Sequence, residues 1–146
     1  MTTPHDLLIR QVCSQFTLPF DLIQAQMVHE SSSDRFAFRW EPGYYARYIK
    51  HNPDAKAARF GPLAACSYGL MQIILETAYE LGFDGRPEDL FIDRIGLTWG
   101  CKKMRQLWDR LGGQDTIYRQ ALARYNGIGS AADLYADTIY RLAGMM

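Results

Sequence analysis

The sequence predicts a mainly α protein with at most a small irregular β-hairpin. Three observations carry that prediction. Apolar residues recur three and four positions apart through most of the chain, the spacing that lines one face of a helix. Glycine, asparagine and proline punctuate these runs where helices would end. No stretch of strand length alternates apolar with polar residues, and no repeat is present. The 146 residues suit a single domain, 1–146. A chain of this size removes roughly 70% of its unfolded surface from water, so it can fold without disulfides or a metal.

Residues 4–16 set Leu7, Leu8, Val12 and Phe16 at helical spacing, with Thr3 as the cap before Pro4. A second helix restarts at Pro19 in LPFDLIQAQMVHES, where Ile23, Met27 and Glu30 follow at i, i+4 and i+7. From 31 to 62 the pattern is broken by Pro42-Gly43, Asn52-Pro53 and Gly61-Pro62. That leaves short helices around YYARYIK and DAKAARF, and room for an irregular hairpin within 31–45. A helix is expected from about Tyr68 to Leu81, with Leu70, Ile73, Ile74, Thr77 and Leu81 on one face and Gly82 as its stop. A longer one covers about 93–111 and closes at Gly112-Gly113. Residues 115–126 turn Ile117, Ala121, Leu122 and Tyr125 inward and stop at Asn126-Gly127. The last helix, about 130–143, carries Leu134, Ile139 and Leu142.

Composition narrows the function classes. Hydrophobic residues are 48% and charged residues 22%, an ordinary globular balance. Lys+Arg and Asp+Glu both number 16, so the chain lacks the basic excess by which nucleic-acid binders release counterions from phosphates. No nucleic-acid partner is expected. Cys13, Cys66 and Cys101 are odd in number, far apart and without a CxxC pair. They make neither a disulfide framework nor a zinc site, and read as small buried thiols. The opening MTTPHDLLIRQ has no basic n-region and no long apolar run. No export signal and no membrane insertion are therefore expected, and synthesis in a reducing compartment is.

Three short stretches are candidates for chemistry. In QMVHESSSDRF, Glu30 continues the apolar stripe of Ile23 and Met27 and stands in the last turn of its helix. Apolar surroundings and the negative end of the helix dipole both push a carboxyl pKa upward, and a carboxyl still protonated near neutral pH is what general-acid catalysis needs. A structural glutamate paired with Arg35, Arg39 or Arg124 is the competing reading. In SYGLMQI, Gly69 lets the backbone approach a ligand or a neighbouring helix, and the Gln72 amide suits sugar hydroxyls and N-acetyl groups. A well-packed helix start with Met71 as gap-filler explains the same residues. In ARYNGIGS, Tyr125 and Asn126 stand at a helix stop where they could position a polar substrate, or simply pack and turn.

Taken in order, E-S … G-L-M-Q … Y-N-x-G resembles the soluble lytic transglycosylase domain of the lysozyme-like superfamily. The likeness runs from about Leu18 to Tyr140. LPFDLIQAQMVHESS looks like that family's catalytic-helix segment, and SYGLMQIILETAYELGF like its glycine-leucine-methionine-glutamine helix. DLFIDRIGLTWGCKKMRQLWDRLGG is similar to the helix that follows, and ALARYNGIGS with LYADTIYRL to the Tyr-Asn motif and closing helix. The resemblance implies a lysozyme-like domain of about six to eight helices with a substrate groove. It implies that Glu30 alone protonates the β-1,4 bond between N-acetylmuramic acid and N-acetylglucosamine and then deprotonates the muramic 6-hydroxyl, which closes a 1,6-anhydro ring. Ser31 would support the acid's helix end, Met71 and Gln72 would line the groove, and Tyr125 and Asn126 would orient Glu30 or the N-acetyl group. No metal or organic cofactor is implied; the partner is a peptidoglycan glycan strand, and a monomer is expected.

Two departures matter. In GPLAACSYGLMQ, Cys66 and Ser67 stand where the family often has Gly-Ala, and Leu63 stands about where it has a serine, leaving Ser67 as the substitute. Also, 39 positions separate Glu30 from Gly69, more than in compact members, and the excess contains FAFRWEPGYYARY. Either Trp40, Tyr44 or Tyr45 stacks on sugar rings, or Phe36, Phe38 and Trp40 alternate into the core while Arg39 pairs with Glu41. Asp34 or Glu41 could instead activate water, giving a hydrolase like goose-type lysozymes, and a glycan-binding module without catalysis is the third class. Without an export signal, the chain suits a bacteriophage lysis enzyme released by a holin or a virion-borne one, with a bacterial enzyme delivered by a secretion machine as the alternative.

Overall fold

The fold is given by a computed structural model, which describes residues 4–114, 118–127 and 130–145. It is mainly α with one small three-stranded antiparallel sheet. The chain divides into two compact units, Met1–His29 with Cys101–Met146, and Glu30–Gly100. The cap assigned to Thr3 and the inward position of Ile117 lie outside the described residues.

Among the described residues, the regular structure of the first unit is all helix. Helix α1 (Pro4–Phe16) buries Ile9, Val12 and Cys13 at i, i+3 and i+4. Leu7, expected on that face, is exposed; it lies about 200° of helix rotation from Ile9. Thr17 ends α1 in the left-handed region (φ 55°), so that Thr17 N–H reaches Ser14 O at 3.3 Å and Leu18 N–H reaches Cys13 O at 2.9 Å, a Schellman closure. Helix α2 (Phe20–Ser31), which belongs to this unit through His29, buries Leu22, Ile23, Gln26 and Met27.

The remaining helices of this unit follow the predicted stops. Helix α5 (Asp93–Arg110) contributes Cys101, Met104 and Trp108 to the core. It closes at Gly112 (φ 107°), where Gly113 N–H meets Trp108 O at 3.0 Å. Helix α6 (Tyr118–Asn126) turns Ala121, Leu122 and Tyr125 inward as expected, and Gly127 N–H caps Ala123 O at 3.0 Å. Helix α7 (Ser130–Leu142) faces inward through Ala132, Tyr135, Ala136 and Ile139. Leu134 and Leu142 are exposed: Leu134 sits about 140° around the helix from Ile139, and Leu142 ends the last turn. Inside the unit, Gln26 Nε2 donates to the Tyr135 hydroxyl at 3.1 Å.

The second unit holds the sheet. Strand β1 (Phe38–Trp40) pairs with β2 (Cys66–Tyr68) in the register Phe38↔Tyr68, Arg39↔Ser67, Trp40↔Cys66, and β2 pairs with β3 (Ile73–Ile74). The hairpin is therefore β2–β3, and not a hairpin within 31–45. It also replaces the first half of the helix expected over 68–81, because only Leu75–Glu80 is helical (α4). Residues 66–71 are all buried, and a continuous buried apolar run reads alike as strand or helix. The left-handed Gly69 (φ 78°) and Gln72 (φ 50°) turn the chain back. Gly82 does end the helix, with Phe83 N–H on Ala78 O at 3.0 Å.

Around the sheet, a short helix α3 (Pro42–Tyr44) runs into a π turn (Tyr45–Ile49), and a 3-10 stretch (Ala58–Ala65) leads into β2. Ile49, Ala57, Tyr68, Ile73, Leu75, Phe83 and Leu90 share one core. The 3-10 turn Pro87–Phe91 then leads to α5, which belongs to this unit through Gly100. Among the described residues no helix is long and apolar enough to cross a membrane.

One ion pair joins α6 to α7: Arg119 Nε lies 2.6 Å from Asp137 Oδ1. This hydrogen bond holds the Asp137 carboxyl below its ordinary value of 3.8. A depressed carboxylate contributes stability above that ordinary value and loses it as pH falls through the folded-state value. Melting temperatures of the wild type and Asp137→Asn should therefore differ slightly at neutral pH and low salt. They should converge in strong acid, and in high salt, since the pair is exposed and screened.

Candidate functional site

Glu30 is the penultimate residue of α2, half-buried, in line with the buried Ile23 and Met27. Ser31 closes the helix, and its buried Oγ donates to Leu70 O at 2.8 Å. The chain then leaves α2 through two left-handed serines, Ser32 (φ 52°) and Ser33 (φ 63°). Such a conformation costs a non-glycine residue roughly 1–2 kcal/mol, so something must hold it. Asp34 N–H returns to Ser31 O at 3.0 Å, and Asp34 Oδ1 accepts from Phe36 N–H at 2.9 Å. Ala37 N–H meets Asp34 O at 3.1 Å. Asp34 thus shapes the turn after the acid with its own carboxylate.

The second motif is the β2–β3 turn. Gln72 N–H bonds Gly69 O at 3.1 Å, and Gln72 Nε2 donates to both Gly69 O and Ala37 O at 3.0 Å. Gly69 N–H donates to the same Ala37 O at 2.8 Å. Together with the Ser31–Leu70 bond, these contacts fasten the end of α2, the 31–37 loop and the 69–72 turn into one piece. The ES and GLMQ stretches, far apart in sequence, are neighbours.

Several expected ligand contacts become structural. A Cβ on Gly69 would come within 2.4 Å of Leu90 O and 3.7 Å of Arg35 O, so its bare Cα faces backbone and not open space. Met71 is 0% exposed and packs on Gly100, where an added Cβ would stand 2.4 Å from the Met71 Cβ. It is a core side chain with no surface to line a groove. Ser67, also buried, donates to Glu41 Oε1 at 3.1 Å, and Arg39 Nε lies 3.6 Å from that same oxygen. Glu41 is therefore anchored by Ser67 and Arg39, which realises the expected Arg39–Glu41 pair. Gln72 has its amide donors on backbone, and its Oε1 is left to accept.

The aromatic segment does not go into the core. Phe36, Phe38 and Trp40 are 62%, 49% and 41% exposed, which corrects the core alternative. The reason is topological: β1 is an edge strand with only three residues. Trp40 lies 5.3 Å from Tyr45, and Tyr44 lies 4.7 Å from Tyr48. Tyr44 is half-buried; burial, only partly offset by a hydrogen bond from Thr77, pushes its phenol up to about 12, so it stays neutral.

Tyr125 and Asn126 end α6 in the other unit. Tyr125 is buried, its ring 4.0 Å from the Lys103 ammonium, which also donates to Tyr125 O at 3.0 Å. Asn126 is exposed.

Sequence reasoning missed Glu76, 2% exposed, whose carboxylate accepts from Ala57 N–H at 3.0 Å and from Lys56 N–H. It ties the loop before the 3-10 stretch to the first turn of α4. An acidic residue in a helix's first turn is a recognisable signal. It was hidden because the expected helix began at Tyr68 and put Glu76 in its middle. Among the described residues no group of three or more His, Cys, Asp or Glu side chains is gathered as a metal would require. Compared with models of known families, with curated proteins and with solved structures, the chain matches none.

Two substitutions test the clamp. Gly69→Ala adds a methyl at positive φ against Leu90 O and should cost roughly 2–4 kcal/mol by denaturant unfolding. Ser31→Ala leaves a buried carbonyl unpaired and should cost about 1–2 kcal/mol. Unchanged midpoints in both would show that the turn is not held this way.

Proposed function

We propose that the chain is a peptidoglycan lytic transglycosylase with Glu30 as its acid and base. The observation that carries this reading is the Ser31–Leu70 hydrogen bond. It brings together two motifs whose family likeness is separate in sequence and puts the Glu30 helix end beside the 69–72 turn. In this mechanism Glu30 gives its proton to the glycosidic oxygen between N-acetylmuramic acid and N-acetylglucosamine. The resulting carboxylate takes the proton of the muramic 6-hydroxyl, whose oxygen attacks C1 and closes the 1,6-anhydro ring. The sugar supplies its own nucleophile, so the second carboxylate that most glycosidases use is not required.

The other residues take supporting parts. Ser31 holds the helix end that carries the acid. The Gln72 Oε1 is an acceptor for a sugar hydroxyl or N-acetyl N–H. Trp40, exposed on β1, offers an aromatic face to a sugar ring. Tyr44, four residues on and half-buried, is the second aromatic candidate. The resemblance alone assigns Tyr125 and Asn126 a share in orienting the acid or the N-acetyl group. Asp34 and Glu41 both have their carboxylates engaged, in a backbone turn and with Ser67 and Arg39, which favours the anhydro reaction over water activation. The setting that fits is the bacterial wall, reached from the cytoplasm of a phage-infected cell or carried in by the virion.

The deciding measurement is the mass of muropeptides released from purified peptidoglycan. Products with 1,6-anhydro ends are expected, and free reducing ends would move the chain to the hydrolases. Glu30→Gln should lower kcat by about a thousandfold or more while leaving the fold intact. Retained turnover would remove Glu30 from the mechanism. Trp40→Ala should raise KM by about fivefold with little change in kcat, since one stacked ring contributes of order 1 kcal/mol. An unchanged KM would take Trp40 out of the substrate path.

A further inference from the structure

Helix α7 carries two apolar stripes. Ala132, Tyr135, Ala136 and Ile139 pack inward. Ala131, Leu134, Thr138 and Leu142 form a second stripe, within about 80° of one another and about 100° round the axis from the first. This second stripe lies in water. Leu134 is 68% exposed, the most exposed large hydrophobic side chain among the described residues, and Leu142 is 56% exposed. Thr138, between them, turns its hydroxyl back onto Leu134 O at 2.8 Å, so the middle of the stripe has its donor satisfied. Beside Leu142 lies a cleft of about 170 Å³, walled by Asp21, Gln24, Ala25 and Val28 of α2 and by Leu142 and Ala143. Val28 is itself 45% exposed.

We propose that this face of α7 is the contact of a homodimer, in which two copies of the helix pair antiparallel about Thr138. Leu134 and Leu142 stand four residues, about 6 Å along the axis, on either side of Thr138. A twofold axis at Thr138 therefore sets each Leu134 against the partner's Leu142, at the mouth of the partner's cleft. The contact forms twice and closes on itself, because one face supplies both the projecting side chain and the hollow that takes it.

Charge selects this occupant and this direction. Beyond the apolar residues, α7 carries Asp133 and Asp137 toward its start and Arg141 toward its end. Antiparallel pairing brings the basic end of each helix to the acidic end of the other, whereas parallel pairing sets like charge beside like. Asp137, nearest the axis, is already paired with Arg119 at 2.6 Å, so its charge is balanced where the two copies meet. The patch is small, its large side chains being Val28, Leu134 and Leu142 of each copy. Its dimer is accordingly transient, with a Kd of order 10 μM. The resemblance implies a monomer, and this surface departs from that expectation. It lies wholly in the first unit and stands whether or not the chain cleaves peptidoglycan.

The test is sedimentation velocity of the full-length protein, under reducing conditions, over a concentration series that brackets this constant. The wild type should pass from monomer to dimer. Leu134→Lys alters a side chain already in water, so circular dichroism should show the fold kept, while Kd rises about tenfold or more. Direction is read by crosslinking. Under mild oxidation Thr138→Cys should give a covalent dimer, whereas Leu134→Cys, about 12 Å along the axis from its own copy, should not. A wild type that stays monomeric throughout would overturn the proposal and leave the stripe to a different kind of molecule. So would a dimer that Leu134→Lys leaves unchanged, or one that crosslinks through Leu134→Cys and not through Thr138→Cys.

Discussion

The hydrogen bond from Ser31 Oγ to Leu70 O carries more of the second unit than its strength suggests. An internal hydrogen bond contributes about 1 kcal/mol net, but a buried carbonyl left without one costs 1–3 kcal/mol. Around it stand three non-glycine residues in the left-handed region, Ser32, Ser33 and Gln72. Together these cost roughly 3–6 kcal/mol. The hydrogen bonds on Leu70 O and Ala37 O return only about half of that. The larger stabilisation comes from the full burial of Leu70, Met71 and Ile73, at about 1.5–3 kcal/mol each. The apolar side chains hold the turn in place, and the polar contacts select its shape. That division explains why a motif that reads as a ligand loop is mostly core.

This distribution bears on how a half-buried glutamate can be presented for chemistry. A helix end is normally loose, because its last carbonyls lack partners. Here the residue after Glu30 is fastened to a β-turn, and the next residues are fixed by Asp34. Rigid support of this kind is what a catalytic acid requires, since small displacements of a reacting group cost large factors in rate. The exposed ridge of Phe36, Phe38 and Trp40 begins one residue before the Ala37 carbonyl that Gly69 and Gln72 share. Large aromatic surface left in water at that position suits a partner that covers it, and the proposed glycan strand has the matching apolar C–H faces.

The first unit solves a different problem. Its helices α6 and α7 pack on each other where α7 turns the small Ala132 and Ala136 inward, and the Arg119–Asp137 pair joins the same two helices.

Much of this was legible in the residues. The helices over 4–16, 93–111 and 130–143 were written in their periodicity, and Gly82, Gly112 and Gly127 stop helices where they were expected to. The proximity of the ES and GLMQ stretches was legible only through resemblance. Local patterns left three things undecided. The 66–74 run is equally apolar as helix or hairpin, and it became a hairpin because β1 supplies a strand partner from far along the chain. Glu76 became a loop anchor only once α4 began at Leu75. Phe36, Phe38 and Trp40 alternate as core residues do, but an edge strand of three residues leaves them in water. By itself the sequence determined the helices over 4–16, 93–111 and 130–143 and where Gly82, Gly112 and Gly127 stop a helix, because periodicity and glycine act over a few residues. The tertiary structure alone decided which buried run is a strand and which carboxylates are anchored, because those depend on partners that no local window contains.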